Sequence, residues 1–333
     1  RKTAAGWEDG MIGRCALLAA GLMLALGAAS GANAQSYPAK PIKMIVPFPP
    51  GGPIDTSARV VAQILQNGLG QTVVIENRPG AGSTIGVKAA AVADPDGLTL
   101  LYGSSGSLAI APALYPNVDY DPIKSFATVA TVALLPHVFV VPQHVPAKTL
   151  PEFIALAKEN PGKMNFGSSL GTPPQLLSFL FKHKTGLDLH YIPYKGSAQS
   201  ITDMIGGETH MTIDGLITLM PLIREGKLRP LGMARAERWP DLPDVPTMGE
   251  LGLSDFTVDA WTAVLAPAGT PREIVVKLNT VINEGLRSQE TKTALARLNS
   301  IAKTTSPEEF SRFLSDEVPK WAALVKLAGA KAE

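Results

Sequence analysis

The sequence predicts an α/β fold with two domains, each built on a mostly parallel sheet flanked by helices. Three observations support this prediction. Strand-like apolar runs alternate with helix-like runs along most of the chain, which is typical of parallel sheets covered on both faces. Four of the junctions between them are turns rich in Gly, Ser and Pro. The chain has 333 residues, enough for two hydrophobic cores.

The alternation begins at Lys43 and repeats in the second half of the chain. The first half predicts strands at 43–48, 72–77 and 98–103, and helices at 57–70 and 83–94. The second half predicts helices at 152–162, 173–186, 197–206 and 216–226, and strands at 163–169, 189–194, 210–215 and 228–234.

Two extended apolar stretches, 137–142 and 259–271, are predicted to cross between the domains. The C-terminal part then predicts two helices, at 272–289 and 307–329. Pro319 lies inside the second helix and is expected to kink it, because proline removes a helical hydrogen bond.

The N-terminal segment has the pattern of a secretory signal. Arg14 precedes the apolar run 15–29, and Ala32-Asn33-Ala34 forms a small-residue cleavage site, so cleavage is expected after Ala34. The single cysteine, Cys15, lies in this segment, so the mature chain is expected to have no disulfide.

Charge and composition exclude one class of function. Hydrophobic residues make up 45% of the chain and charged residues 18%, as in ordinary globular proteins. Removing residues 1–34 takes away three basic and two acidic residues, which leaves 27 of each. A nucleic-acid-binding protein normally has an excess of basic residues, so nucleic acid is not an expected partner.

The four turns at the junctions predict a site for a small anion. A helix that follows such a turn begins with N–H groups that have no intrahelical partner, at the positive end of its dipole. Small residues let a ligand approach the backbone closely. The turns occupy residues 47–56, 77–86, 103–107 and 167–175, and they carry very little fixed charge, which favours binding over catalysis.

Other chemistries are less well supported by the sequence. Gly167, Ser169 and Gly171 have the spacing of a nucleophile elbow, so a secreted serine esterase using Ser169 is an alternative function. It is less well supported, because no histidine follows at a suitable distance. The five histidines form no i,i+4 pair, and neither a metal site nor a cofactor is predicted. Asp55 and Asp214 each either stabilise their own turn or contact a ligand.

Several longer blocks resemble those of a known family, the periplasmic solute-binding components of tripartite tricarboxylate transporters, also called Bug proteins. They follow the family's order and spacing across residues 37–333. The matching stretches are IVPFPPGGPIDTSAR (45–59), ENRPGAGSTIG (76–86), NFGSSLGTPPQ (165–175), YIPYKGSAQSITDMIGG (191–207), LPDVPTMGELGL (242–253) and WTAVLAPAGTP (261–271).

The resemblance implies a two-lobed clamshell of the type II periplasmic binding protein fold. We expect residues 37–138 and 262–333 to form lobe 1 and residues 139–261 to form lobe 2. It also implies a non-catalytic, monomeric periplasmic receptor that closes on a small organic acid and meets membrane transporter subunits transiently. A ligand sensor for a membrane signalling partner would use the same fold.

Transferring the family's contacts residue by residue gives a predicted ligand site. Lobe 1 is expected to contribute Phe48, Gly51, Gly52, Asp55, Ala81, Gly82 and Ser104. Lobe 2 is expected to contribute Ser168, Ser169, Thr172, Gly196 and Asp214. The sequence departs from the family pattern at Gln175, where histidine is usual, and at Leu170, where glycine is usual. These departures leave the identity of the acid open.

Overall fold

Strands and helices alternate along the chain in the order that the apolar runs predict. A computed structural model describes residues 37–115, 117–169, 171–256 and 258–330. The chain divides into residues 1–39, of which only 37–39 are described, and one compact unit, Lys40–Glu333. The predicted signal segment and its cleavage site after Ala34 lie outside the described residues.

Most of the described strands and helices lie close to their predicted positions, whereas the strands at 126–135 and 301–302 and the helices at 111–114 and 289–297 were not predicted. The strands are β1 (Ile42–Val46), β2 (Val73–Asn77), β3 (Thr99–Ser104), β4 (Phe126–Leu135), β5 (His137–Pro142), β6 (Met164–Ser169), β7 (Leu189–Tyr194), β8 (Thr212–Gly215), β9 (Leu228–Met233), β10 (Ala260–Pro267) and β11 (Ile301–Ala302). The helices are α1 (Pro53–Leu69), α2 (Thr84–Ala91), α3 (Ala111–Leu114), α4 (Leu150–Glu159), α5 (Pro173–Thr185), α6 (Ser197–Gly206), α7 (Leu216–Arg224), α8 (Arg272–Arg287), α9 (Gln289–Arg297) and α10 (Pro307–Ala328).

The described strands form three sheets: a six-stranded sheet with both parallel and antiparallel pairs, a three-stranded antiparallel sheet and a two-stranded parallel sheet. Their orders are β11-β4-β10-β3-β1-β2, β8-β5-β9 and β6-β7. In the first sheet β1 pairs in parallel with β2 and β3, whereas β10 runs antiparallel to both β3 and β4. In the second sheet β5 is antiparallel to both neighbours. The α/β class is confirmed, but the expectation of mostly parallel sheets is wrong, because alternation along the chain does not fix the direction from which a strand returns to a sheet.

Strand β4 is absent from the sequence prediction. It lies between β10 and β11 in the first sheet, and its middle residues are fully buried. A strand covered on both faces has no alternation of apolar and polar residues, so its sequence FATVATVALL lacks the period-2 signal. The predicted second C-terminal helix does form, and it continues through Pro319.

The chain changes sheet within two residues at Pro136. Strand β4 ends at Leu135 in the first sheet, and β5 begins at His137 in the second. The chain returns to the first sheet with β10. These changes lie next to the expected lobe boundaries, which stay a prediction. Helix α10 packs against both β4 and α5, so it contacts elements on both sides of the change.

Aromatic side chains fill the core around β5. Phe139 lies with its ring centroid 5.2 Å from Phe153 and 4.8 Å from Phe181, both in edge-to-face geometry. All three rings are fully buried. Such pairs add about 0.5–1.5 kcal/mol beyond the burial of their area. This core fixes β5, whose first residue, His137, lines the cleft described below.

One close contact between α1 and α8 gives a test of the packing. A Cβ added at Gly285 would lie 2.2 Å from Cγ2 of Ile64, whereas a Cβ at Gly206 would meet nothing within 4 Å. We expect Gly285→Ala to lower the free energy of unfolding by about 1–3 kcal/mol, because overpacking forces side chains out of their rotamers. Urea denaturation would measure this loss.

The matched control is Gly206→Ala, which we expect to be neutral or slightly stabilising, because alanine favours a helix over glycine. Combining Gly285→Ala with Ile64→Ala should remove the clash. Equal stabilities of the Gly285 and Gly206 variants would contradict the close contact.

Candidate ligand-binding cleft

The helices differ in how their N-termini are capped. Helices α4, α9 and α10 begin at side-chain caps, in which a hydroxyl accepts a hydrogen bond from a backbone N–H; the capping residues are Thr149, Ser288 and Ser306. Helices α2, α3 and α8 have no side-chain cap, and neither do α1, α5, α6 and α7, whose N-cap residues are Gly52, Thr172, Gly196 and Gly215. These four ends keep N–H groups for other partners.

The N-termini of α1, α5, α6 and α7 border a single cleft with a volume of about 640 Å³. The turns that follow β2 and β3 complete its wall, so all four predicted junctions contribute residues. Residues from the junctions that line the cleft are Pro47, Phe48, Pro49, Pro53, Ile54, Pro79, Gly80, Gly82, Ser83, Ser104, Ser105, Gly106, Gly171, Thr172, Pro173 and Pro174. The tertiary fold thus brings together turns as far apart in the chain as Pro47 and Pro174.

Five of the predicted site residues line the cleft, and four others are next to a lining residue in sequence. The lining residues are Phe48, Gly82, Ser104, Thr172 and Asp214. The residues that flank lining positions are Gly52, Asp55, Ala81 and Gly196, whereas Gly51 is two positions from the nearest lining residue. Ser168 and Ser169 are buried at the end of β6 and are not among the described lining residues. The roles of all twelve in ligand binding stay predictions.

Asp55 is used internally to fix the first turn. Its Oδ2 accepts from the amide of Gly51 at 3.0 Å and from Nε of Arg59 at 2.9 Å, and its Oδ1 accepts from Nδ2 of Asn77 at 2.9 Å. Burial raises the pKa of this carboxyl, but these hydrogen bonds outweigh burial and hold the pKa below its ordinary value. The arrangement favours the structural role of Asp55, and Gly51 would need to leave Asp55 before it could bind a ligand.

Asn77 is a positioning residue that the sequence prediction missed. It ends β2, and besides Asp55 it donates to the carbonyl of Phe48 at 3.0 Å. One amide group therefore ties the cleft-lining loop at Phe48 to the start of α1. The signal in the sequence is weak, because an asparagine after an apolar strand is also typical of an ordinary turn.

We expect Asn77→Ala to lower the free energy of unfolding by about 1–3 kcal/mol, since two hydrogen bonds are lost, one of them to a carboxylate. Denaturation by urea would show the difference. The matched control is Asn67→Ala, because Asn67 is exposed on α1 and accepts only from Gln63. A loss at Asn77 no larger than at Asn67 would show that this tether contributes nothing.

The turn before α5 is also stabilised internally. The hydroxyl of Thr172 donates to the carbonyl of Ser169 at 2.7 Å, and the amide of Gly171 donates to Oε1 of Gln175 at 2.8 Å. Gln175, one of the two departures from the family pattern, is buried, and its hydrogen bond stabilises the turn. Leu170, the other departure, lies outside the described residues. Among the described contacts, no hydrogen bond joins the Ser169 hydroxyl to a histidine, as an esterase would require.

The cleft is poor in charge. The described residues that line it include no lysine and no arginine, and the titratable acid among them is Asp214. Burial raises the pKa of Asp214 to about 6, against hydrogen bonds from the Ser197 side chain and the Gly215 amide. Burial lowers the pKa of His137 to about 4, so this imidazole is neutral at physiological pH.

The sequence prediction missed lining residues that come from distant parts of the chain. They include Tyr115, His137, Ile217, Ala260, Leu298 and Asn299. Leu298 and Asn299 follow α9, far in sequence from any of the four junctions, and no local pattern marks them. Tyr115 is a close neighbour of Gly82, where an added Cβ would lie 2.3 Å from the tyrosine ring.

The described residues include neither a metal-binding cluster nor a membrane-spanning helix. Within the described ranges, no three His, Cys, Asp or Glu side chains lie together in a way that could hold a metal ion. No helix among residues 37–330 that the structure describes has the length and apolar character needed to cross a membrane.

Mixed α/β sheets around a cleft bordered by helix N-termini define the class of two-lobed periplasmic binding proteins. The comparisons with known proteins agree. The family model for the tripartite tricarboxylate transporter family receptor matches residues 57–330. The chain therefore belongs to this family of solute-binding receptors.

Individual relatives cover nearly the whole chain. Protein BugT of Bordetella pertussis is 40% identical over 307 residues, which are 92% of this chain and 94% of the relative. The solved structure of Rpa4515 from R. palustris with adipate is 34% identical, covers 89% of this chain and 99% of its own, and has a TM-score of 0.78. MatC from Rhodopseudomonas palustris with bound malate is 32% identical, covers 87% and 100%, and has a TM-score of 0.73.

Proposed function

We propose that this protein is a periplasmic receptor that captures a small organic carboxylate by lobe closure and delivers it to a tripartite tricarboxylate-type membrane transporter. The observation that carries the proposal is the convergence of four uncapped helix N-termini on one charge-poor cleft. N–H groups at such ends are donors suited to an anion.

The energetics fit a carboxylate held without arginine. Each charge-assisted hydrogen bond contributes about 1.5–3 kcal/mol, so four or five of them offset much of the cost of removing a carboxylate from water. The donors are divided between α1 on one side of the cleft and α5, α6 and α7 on the other. Full binding therefore requires closure, and the ligand shifts the open–closed equilibrium by its differential affinity for the two states.

Two relatives support the chemical class. Rpa4515 was solved with adipate and MatC with malate, and both are organic acids. We extend this class to the present chain because its cleft is built from the same family architecture.

Calorimetry of the purified protein against adipate, malate and other small acids tests the capture step. We expect binding of at least one acid, accompanied by an increase in melting temperature, because a ligand that binds only the folded state stabilises it. Absence of both heat and thermal shift with every acid would reject the proposal.

A pair of glycine variants tests whether the cleft is the site. Gly82 has φ +61° and faces the ring of Tyr115, whereas Gly226 has φ +68° with nothing within 4 Å. Alanine introduces similar backbone strain at both positions, but a clash only at Gly82. We expect Gly82→Ala to weaken acid binding about tenfold or more and Gly226→Ala to leave it unchanged.

Delivery to a transporter needs its own test. The liganded and ligand-free protein, each immobilised, would be exposed to solubilised membranes of the source organism. Retention of transporter subunits by the liganded form alone is the expected result. Retention of a signalling protein instead would replace delivery with the sensor function.

A further inference from the structure

Helix α6 begins at the cleft with N–H groups that no internal partner uses. Its N-cap residue is Gly196, its first residue, Ser197, lines the cleft, and its first turn contains neither a proline nor an acidic residue. Among the described residues, no hydrogen bond engages the amides of Ser197, Ala198 or Gln199. An anion can therefore bind at this helix end without displacing an internal acceptor.

The other three helix ends at the cleft offer fewer donors. Helices α1 and α5 begin with proline, which has no N–H group, and the carboxylate of Asp55 already lies at the start of α1. In α7 the amide of Gly215 donates to Asp214, and the amide of Leu216 donates to the carbonyl of Pro136 at 2.9 Å. The carboxylate of a ligand therefore finds its most complete set of donors at α6.

Asp214 contacts this same helix end. The Ser197 side chain hydrogen-bonds to the Asp214 carboxyl, whose Oδ1 also accepts from the amide of Gly215 at 2.6 Å. Asp214 lines the cleft and is only 5% exposed. A carboxylate bound at the start of α6 is thus next to a residue that already contacts a buried carboxyl group.

No described cation faces Asp214. The elements packed against β8 are β5, β6, α5 and α7. Strand β5 contributes His137, which burial keeps neutral, and β6 contributes no titratable group. The titratable groups of α5, α6 and α7 lie beyond their first turns, at Lys182, His183, Lys184, Asp203 and Arg224. Burial and two uncharged donors therefore set the pKa of Asp214, which burial raises to about 6.

Two carboxyl groups in such a place cannot both stay ionised at little cost. Like charges repel strongly where water is excluded, and neighbouring carboxylates then share one proton. A protonated carboxyl group gains an O–H donor, so Asp214 changes from a competitor for the donors at α6 into a donor itself.

We infer that Asp214 takes up a proton from solvent when the cleft binds an organic acid, and donates the resulting O–H group in a hydrogen bond to the carboxylate of that acid. Capture is therefore tighter at acidic than at alkaline pH. This inference rests on the proposed function and adds a proton to the capture step.

Calorimetry with adipate, malate and any other acid of the panel that binds tests the inference. Titrations at pH 7 in phosphate and in Tris, whose ionisation enthalpies differ, count the protons taken up on binding. We expect about half a proton or more per bound acid, because the adjacent anion raises the pKa of Asp214 further.

The pH dependence of the affinity gives a second readout. Adipate and malate are ionised between pH 6.5 and pH 8.5, whereas Asp214 in the complex loses its proton in this range. A group whose pKa is raised by the ligand favours binding only while it is protonated, so the affinity should fall about tenfold across the range.

Three variants assign the proton. Asp214→Asn carries a permanent N–H donor and no titratable group, so we expect no proton uptake and an affinity that changes less than about twofold with pH. His137→Gln removes the other acid–base group of the cleft that has a displaced pKa and should keep the uptake. Glu225→Gln, an exposed residue at the end of α7, is the matched control and should change neither readout.

The outcomes separate the two claims. Binding of an acid to the wild-type protein without proton uptake, or uptake that persists in Asp214→Asn, overturns the inference while the receptor function stands. The uptake measurement on the wild-type protein decides the question even if Asp214→Asn folds poorly. If no acid of the panel binds, the receptor function fails and the inference fails with it.

Discussion

Replacing Glu317 with alanine is expected to lower the free energy of unfolding by about 4 kcal/mol, since each buried donor left without a partner costs about 1–3 kcal/mol. Oε2 of Glu317 accepts from the indole N–H groups of Trp261 at 3.0 Å and Trp321 at 2.8 Å. Both indoles are fully buried, and Glu317 is only 7% exposed. The variant would leave two buried N–H groups without partners.

The position of Glu317 makes this loss important for the fold. Trp261 lies at the start of β10, where the chain returns to the first sheet, and Trp321 lies on α10, which packs against both β4 and α5. One carboxylate thus anchors the returning strand to the C-terminal helix.

Urea denaturation followed by tryptophan fluorescence would measure the effect. Glu317→Gln keeps an acceptor oxygen of the same shape, so we expect a smaller loss of about 1–2 kcal/mol, from the lost charge alone. The matched control is Asp316→Ala, an exposed neighbour on α10, which should change stability by less than about 0.5 kcal/mol. A loss at Glu317 similar to that at Asp316 would show that the indoles find other partners.

The second large effect is on the pH dependence of stability, and Asp214 and His137 contribute with opposite signs. The folded protein keeps a proton on Asp214 up to about pH 6, whereas the unfolded chain loses it near 3.8. Raising the pH through this window therefore favours the unfolded chain. Removing the carboxyl in Asp214→Asn removes that loss, so the variant should gain about 3 kcal/mol relative to wild type between pH 4 and pH 6.5.

For His137 the linkage is reversed. The folded protein loses its imidazole proton at about pH 4, whereas the unfolded chain keeps it to about 6.5. Raising the pH through this window therefore favours the folded protein. His137→Gln lacks this gain and should fall by about 3 kcal/mol relative to wild type over the same range.

Urea denaturation of both variants and the wild type, at intervals between pH 4 and pH 7, checks these slopes. In the Asp214→Asn, His137→Gln double variant both pH-dependent contributions to the free energy of unfolding are removed, and they have opposite signs. The difference in free energy of unfolding between this variant and the wild type should therefore change little with pH. Parallel curves for wild type and both single variants would mean that neither group has a displaced pKa.

The sequence predicted most elements from local patterns. Alternating runs located β1, β2 and β3 and the helices between them, because amphipathic periodicity is a property of neighbouring residues. Prediction from local patterns failed for β4, which is buried on both faces. It also failed for the direction of β10, which depends on where the chain returns to the sheet. A π-helical turn at Gly106–Ile110 was also not predicted, since the serine-rich stretch 103–107 that overlaps its start resembles an ordinary turn.

The candidate site was predicted in its turns and missed in its details. The four junctions do border one cleft, and Gly82, Ser104 and Thr172 are among its lining residues. Asp55 is instead occupied by Gly51, Arg59 and Asn77, a set of contacts that spans 26 residues of sequence. Whether a polar group is free for a ligand depends on such partners, and the residue type does not reveal them.

By itself, the sequence determined which segments form strands and helices, where the donor-rich turns fall, and the family to which the chain belongs. These features depend on neighbouring residues and on short blocks of fixed spacing. Only the tertiary structure decided which turns meet and which groups remain unpaired at the cleft. It brought His137 and Asp214 to the lining of one cleft through the pairing of β5 with β8, about 77 residues apart, because burial and hydrogen bonding depend on contacts between distant parts of the chain.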